Sequence, residues 1–167
     1  MRYWIGLGSN VGDRLASLRG AATALAAHGE VLARSRVFAT SPVGGPPQPP
    51  FLNAAVLLES ALSPTELLGA CQAIEAQFGR TREGEVRWGP RTLDVDILLA
   101  GAQGEARVET PALTVPHALL HERAFALGPL IDLDDRLVHP TAARPLKSLL
   151  YAVQSLGHVI APTGETL

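Results

Sequence analysis

Cysteine is nearly absent from this chain: Cys71 is the only one in 167 residues, which excludes an intrachain disulfide. Its place in a helical apolar pattern marks a buried thiol rather than a nucleophile. Aromatic residues make up 5% of the chain, too few for an exposed stacking sheet of the kind RNA-binding modules use. No excess of one charge exists either, with 14 basic and 16 acidic residues and a formal net charge of -2. The whole-protein field therefore attracts no nucleic acid and no anionic lipid, and any basic site must be local. No uncharged apolar run reaches the roughly 18 residues that span a bilayer, and the opening Met-Arg-Tyr-Trp-Ile-Gly has no apolar signal core. These absences predict a cytoplasmic protein with no membrane partner. A hydrophobic content of 47% suffices for one core, so residues 1–167 are expected to form a single domain.

Familiar catalytic signatures are missing as well. Gly6, Gly8 and Gly12 are spaced G-x-G-x-x-x-G, one residue longer than the dinucleotide fingerprint, and no parallel βαβ array follows. There is no G-x-x-x-x-G-K-[ST], no H-E-x-x-H, no Cys/His zinc spacing and no G-x-S-x-G. His28, His121, His139 and His158 show no ligand-like spacing and receive no role.

What is present reads as alternating strands and helices. Tyr3 to Leu7 is a short strand, after which Asp13 caps a helix with Leu15, Leu18, Ala22 and Leu25 on one stripe and Gly29 at its end. Val31 to Ala39 is a second strand and Phe51 to Leu58 a third. Ser63-Pro64-Thr65-Glu66 is a capping box with proline at the first helical position, opening a helix with Leu67, Leu68, Cys71, Ile74 and Phe78 apolar and Gly79 as its stop. A strand beginning near Asp94 completes β-α-β-β-α-β. That order predicts a ferredoxin-like α+β sandwich, one antiparallel sheet with two helices on one face, plus a short C-terminal extension. In the extension, Val108 to Val115 is expected to form a short strand, His117 to Ile131 a helix ended by Gly128-Pro129, and Lys147 to Val153 a further helix.

The fourth strand carries the chemistry. In Trp88-Gly-Pro-Arg91-Thr-Leu-Asp94-Val-Asp96-Ile-Leu-Leu, a strand points both aspartates to one face, about 6.5–7 Å apart. Like charges so placed repel unless a cation lies between them, and the spacing suits Mg²⁺ with coordination positions left for phosphate. The plainer reading is the solvated face of an edge strand, but Asp is a poor strand former and the run ends too apolar for an edge. Two long loops flank the candidate site. Ser41 to Pro50 contains five prolines and two glycines, and Arg80 to Arg91 contains four arginines, Arg80, Arg82, Arg87 and Arg91. Loops of that length in so small a domain are commonly lids, and guanidinium groups beside a carboxylate pair suit a polyphosphate. On the second helix Gln72 and Glu75 are expected to share a side next to the apolar stripe, placed to read a base or ribose.

Four ordered motifs, Gly8-Ser-Asn10, Phe51-Leu-Asn53-Ala-Ala-Val, Arg87-Trp-Gly-Pro-Arg-Thr-Leu-Asp-Val-Asp-Ile97, and Val115-Pro-His117 with Glu122-Arg-Ala-Phe125, resemble the 6-hydroxymethyl-7,8-dihydropterin pyrophosphokinase family of folate biosynthesis. The resemblance runs to about Leu130 and implies the same ferredoxin-like fold. It implies transfer of the β,γ-pyrophosphoryl group of ATP to the pterin hydroxymethyl oxygen, giving AMP and the pterin diphosphate. It assigns Asp94 and Asp96 to two Mg²⁺ ions and makes Arg82 and Arg91 a phosphate-stabilising pair, chemistry that rests on positioning and charge neutralisation. Gln72, Glu75, Trp88, Ile97, Thr114, His117 and Arg123 match positions on the ATP side. Phe51 and Phe125 match the two faces around the pterin, Asn53 its polar edge, and Thr40, Pro42 and Val43 its remaining contacts. A flat, amide-like heterocycle is well served by aromatic walls with fixed donors and acceptors. The two loops would close over pterin and phosphates and exclude water, since hydrolysis competes with transfer. Ala112 and Ala118 depart from members that carry an arginine and an aromatic there.

The resulting expectation is a monomeric, Mg²⁺-dependent diphosphotransferase with ATP and hydroxymethyldihydropterin as its partners. A small Asp-x-Asp metal-nucleotide transferase of other specificity, such as a glycosyltransferase, would share the metal site, and pterin binding discriminates it. A non-catalytic ferredoxin-like binding module, including one for RNA, predicts exposed sheet aromatics and a basic face.

Overall fold

The alternation at Tyr3, Ile5 and Leu7 is realised in a computed structural model, which describes residues 1–81 and 88–167, as strand β1 (Arg2–Ser9). Helix α1 (Arg14–Leu25) follows, its first turn capped by the Asp13 carboxylate, which accepts from the Ala16 N–H at 3.0 Å. The expected second strand is two, β2 (Glu30–Arg34) and β3 (Arg36–Thr40), both antiparallel to β4 (Phe51–Glu59). The break is at buried Ser35. Its N–H donates to Ala55 O, while its Oγ accepts from Ala55 N–H and donates to Arg36 O, so a hydroxyl takes over ladder bonds.

Helix α2 (Pro64–Gln77) opens with the full capping box, Ser63 N–H to Glu66 Oε2 at 2.8 Å and Glu66 N–H to Ser63 Oγ at 3.4 Å. Gly79 stands just past its end at φ 81°. Gly29 plays a different part from the helix stop expected there. The chain leaves α1 through a 3₁₀ turn, and Gly29 is extended, where an added Cβ would lie 2.2 Å from Glu59 O. Close backbone approach, not left-handed geometry, calls for glycine at that position.

Strand β5 (Asp94–Ala100) lies beside β1. Beyond it, the single strand expected over Val108 to Val115 is instead a small hairpin of β6 (Val108–Glu109) and β7 (Thr114–Val115), closed by Thr110 N–H to Leu113 O at 2.9 Å. The helix expected from His117 begins later, as a 3₁₀ turn at residues 120–122 and then α3 (Ala124–Leu133). Gly128-Pro129 lies inside α3 and does not end it, because the helix is pinned by burial of Leu127 and Leu130 against the sheet. After a second small hairpin, β8 (Val138–His139) with β9 (Arg144–Pro145), come α4 (Leu146–Ser155) and an unforeseen strand, β10 (Ile160–Thr166).

The main sheet runs β10-β3-β4-β1-β5, with β2 also paired to β4, and every pairing is antiparallel. Removing β10 leaves the ferredoxin-like strand order. Its odd β1 positions, Tyr3, Ile5 and Leu7, meet α1 and α2 across one core. The opposite face, through Trp4, Ala55, Leu98 and Leu99, is covered by α3 and α4. Burial of both faces explains why β5 reads as nearly continuous apolar sequence after Asp96. Among the described residues no helix is long and apolar enough to cross a membrane.

Candidate active site

Where β1 leaves the α3-covered region its side chains shrink to Gly6 and Gly8, and the face opens. Gly8 lies between Asn53 on β4 and Asp94 on β5, and Gly6 lies between Ala55 and Asp96. A Cβ on Gly8 would stand 3.0 Å from Asn53 Oδ1, so the missing side chain makes the floor of a recess. The two aspartates project over that floor, as strand alternation requires.

Their environments differ. Asp94 Oδ1 accepts from Arg80 Nη1 at 2.5 Å and Oδ2 from Arg91 Nη1 at 2.9 Å. Burial pushes this carboxyl up, but the guanidinium groups of Arg91 and Arg80 outweigh it and hold it below the usual carboxylate range. Asp96 makes no hydrogen bond or ion pair among the described residues. Burial, then the Asp94 charge, push it up to about 7. The same Arg80 Nη1 donates to Glu75 Oε1 at 2.6 Å, and that oxygen also accepts the Val95 N–H at 2.9 Å. On α2 Gln72 is exposed and Glu75 only 2% exposed, because the buried stripe of Leu67, Cys71 and Ile74 runs on through Glu75.

Beside the carboxylates is a pocket of about 230 Å³. Phe51, Phe125, Asn53, Thr40, Pro42 and Val43 line it, together with Trp88, Arg91, Asp94 and Arg123. Asn53 Nδ2 donates to Thr40 Oγ1 at 2.7 Å. That bond leaves Oδ1 as the amide's acceptor on the Gly8 side, while the Arg123 guanidinium stacks 5.4 Å over the Phe125 ring. The pocket unites residues far apart in sequence, and it is apolar with a few fixed polar groups.

Asn10 braces both flanking loops. Its Oδ1 accepts the Arg91 N–H at 2.8 Å, its Nδ2 donates to Gln48 Oε1 and Pro49 O, and Gln48 Nε2 donates to Trp88 O at 2.8 Å.

The model of the family 7,8-dihydro-6-hydroxymethylpterin-pyrophosphokinase (HPPK) matches residues 4–135. The chain belongs to this family. It is 47% identical over 132 residues to the 2-amino-4-hydroxy-6-hydroxymethyldihydropteridine pyrophosphokinase of Bacillus subtilis, covering 78% of this chain and 76% of that relative. It is 46% identical over 139 residues to the enzyme of the same name from Methylorubrum extorquens, covering 82% and 85%. The fold is similar to solved HPPK-DHPS structures. One is a complex with substrates, at TM-score 0.69 and 13% identity over 93% of this chain. Another is the wild-type Plasmodium falciparum protein with pteroate, at TM-score 0.70 and 14% identity over 92%. At such identities the likeness carries the fold alone, and this chain spans 44% and 42% of those two solved chains.

The other family-matched positions are placed as follows. Trp88 is 44% exposed at the pocket rim, with φ 58°. His117 donates its backbone N–H to Leu98 O, and its Nδ1 accepts the Leu119 N–H at 3.2 Å. Burial, reinforced by Arg123, lowers it to about 4, so the imidazole is neutral. Thr114 is exposed on β7, whereas the Ile97 side chain is 3% exposed in the α1/α2 core, which leaves its backbone to face any ligand. Arg82 lies outside the described residues, as does Arg87. Asn10, Gln48 and Gly8 escaped assignment in the sequence, although two of them stand in the Gly8-Ser-Asn10 motif. Arg80 was legible only as one arginine of a basic loop; nothing in its spacing told that it would reach both Glu75 and Asp94.

The donor set fits a hard divalent ion. Two carboxylates project from one face of β5, and Asp96 has repulsion from Asp94 and no cationic partner in direct contact among the described residues. Those residues contain no cluster of three or more such ligands, so a bound ion would draw its remaining oxygens from phosphate and water.

Proposed function

We propose that this chain, as a single catalytic domain, transfers the pyrophosphoryl group of ATP to the hydroxymethyl oxygen of 6-hydroxymethyl-7,8-dihydropterin, giving AMP and the pterin diphosphate. The observation that carries this reading is the Asp94 carboxylate lining a recess walled by Phe51 and Phe125 and floored by Gly8, with the Asn53 amide at its base and Asp96 in the adjoining cleft that Asp94, Gly8 and Phe125 share. Mg²⁺ at Asp94 and Asp96, two ions in this reading, supplies charge neutralisation along the phosphate chain when bound.

The protein's own groups do the rest. Phe51 and Phe125 hold the flat pterin, and Asn53 and Thr40 read its polar edge. This fixes the hydroxymethyl oxygen beside the carboxylates, and such positioning supplies much of the rate in phosphoryl transfer. Arg91 and Arg80 grip Asp94 and place their positive charge beside the phosphate chain, with Arg82 as an additional phosphate contact. Glu75, held by Arg80, orients that guanidinium. Gln72, Trp88, Thr114, His117, Arg123 and the Ile97 backbone bound the nucleotide side. The Asn10–Gln48–Trp88 linkage keeps both loops over the site and excludes water. All these residues come from one chain, so the reading needs no second copy.

The test is AMP formation from ATP, with and without the pterin and with and without Mg²⁺. AMP release that ignores the pterin would refute the acceptor, and activity unaffected by chelation would refute the metal.

A further inference from the structure

Strand β10 extends one wall of the pterin pocket by a further row. Ile160 pairs with Thr40, and Thr40 pairs with Phe51. Directly paired residues of antiparallel strands project to one face, with Cβ atoms about 4.5–5.5 Å apart. Ile160, Thr40 and Phe51 therefore form a cross-strand row on the face that α3 covers. Thr40 and Phe51 line the pocket of about 230 Å³, and Ile160 stands on the far side of Thr40.

Ile160 also meets α3. A Cβ added at Gly128 would overlap Ile160 Cδ1, so the isoleucine fills a notch that glycine leaves in the helix. Phe125, which forms the facing wall of the pocket, lies three residues earlier in α3 and so on the same side, one turn away. Ile160 and Phe125 both pack against the second core. One half-buried side chain thus separates the strand that carries Thr40 from the helix that carries Phe125.

The wall it supports is thin. A cleft of about 310 Å³ lies behind it, lined on its outer side by Leu156, Gly157, His158 and Val159 of the α4–β10 turn. Thr40, Pro42, Val43 and Phe125 line both this cleft and the pocket. Groups with open space on two sides are not fixed by close packing around them, so the contacts at their base set their position.

We infer that Ile160 is a positioning residue for the pterin pocket. Wedged between Thr40 and Gly128, it holds the Thr40 and Phe125 sides at the separation a flat bicyclic ring requires, and it acts through them without touching the ring. This rests on the reading that the pocket takes the pterin.

The test is calorimetric titration of the full chain with hydroxymethyldihydropterin and, separately, with α,β-methylene ATP in Mg²⁺ buffer. Gly128→Ala pushes Ile160 out of its notch while improving helix propensity, so the variant should fold. It is expected to weaken pterin about tenfold and to leave the ATP analogue within about twofold of the parent. Adding Ile160→Val to Gly128→Ala should restore pterin affinity, because valine lacks the Cδ1 methyl and the alanine methyl takes its place. Ile160→Ala deletes the wedge, should weaken pterin to the same extent, and carries the test should Gly128→Ala not fold. Thr163→Ala separates positioning from stability. It removes the hydrogen bond from Thr163 Oγ1 to Val37 O farther along β10, and should lower Tm without changing pterin affinity. Pterin affinity within about twofold of the parent in the folded Gly128 and Ile160 variants, no recovery in the double variant, equal weakening of both ligands, or equal weakening by Thr163→Ala overturns the inference. Failure of the underlying reading looks different: the unmutated chain would then form no pterin-dependent AMP, and the inference would fall with it.

Discussion

Asp94 and Asp96 are chemically identical and two residues apart, yet the fold treats them oppositely. Arg80 and Arg91 satisfy Asp94, whereas Asp96 is left against a like charge. In metal-free buffer at pH 8, Asp96→Asn should therefore raise Tm by about 2–4 °C, and in Mg²⁺ buffer the same variant should lose turnover. The sign follows from the direction of the shift. A carboxyl raised to about 7 in the folded state, from the ordinary value in the unfolded chain, loses stability as pH climbs between those two values, and the amide removes that loss. Asp94→Ala should instead lower Tm, because two guanidinium groups lose their anion. A Tm of Asp96→Asn below that of the parent would contradict the assigned repulsion. Gly8 makes a second residue-scale prediction. Its Cβ would press on Asn53 Oδ1 from 3.0 Å, so Gly8→Ala should keep the fold and weaken pterin binding about tenfold, measured by fluorescence titration.

Between elements, one clasp ties the sheet to its second helical layer. Asp132 on α3 accepts from Arg36 on β3 three times, through the backbone N–H and the guanidinium, the shortest at 2.6 Å. Burial pushes the Asp132 carboxyl up, but the side-chain and backbone bonds from Arg36 prevail and keep it below the usual range. Such a group contributes stability above the unfolded carboxylate pKa and loses it as pH falls through the folded value. Asp132→Ala should cost about 1 kcal/mol at pH 7, a figure held down by the Arg36 side chain being 55% exposed. The deficit should disappear near pH 2. Denaturant melts at both pH values check this, and a deficit unchanged by acid would assign the effect to packing.

At the scale of the whole molecule, the family model ends at residue 135, whereas the second core does not. Leu146, Leu149 and Val153 of α4 pack against the face that holds Trp4, Ala55 and Leu99. Truncation after Asp135 strips that cover and should give a chain that binds hydrophobic dyes and lacks a cooperative melt. Truncation after Ser155 removes only β10 and its preceding turn. It should fold with a lower Tm, exposing the β3 edge beside Thr40 and the pterin loop. A cooperative melt at the parental Tm in the shorter chain would show that α4 is dispensable.

The four principal strands and α1 and α2 were legible because each carries one strong local signal: alternation at Tyr3 to Leu7, the box at Ser63 and Glu66, the stripe through Cys71 and Ile74. Strand β10 was not, since only Ile160 among its residues is even half-buried, and an edge strand open on both faces needs no alternation. Ser35 hid the split of β2 and β3, because a hydroxyl replacing ladder bonds leaves no mark in hydropathy. Composition and spacing alone determined a carboxylate pair suited to Mg²⁺, two loops able to enclose it and the absence of a disulfide, since these are properties of neighbouring residues. Only tertiary structure decided which aspartate is neutralised, that Arg80 bridges Glu75 to Asp94, that Asn10 braces both loops, and that His139 is buried. Those outcomes depend on groups brought together across the sheet from distant parts of the chain, where the geometry of packing rather than the order of residues sets each partner.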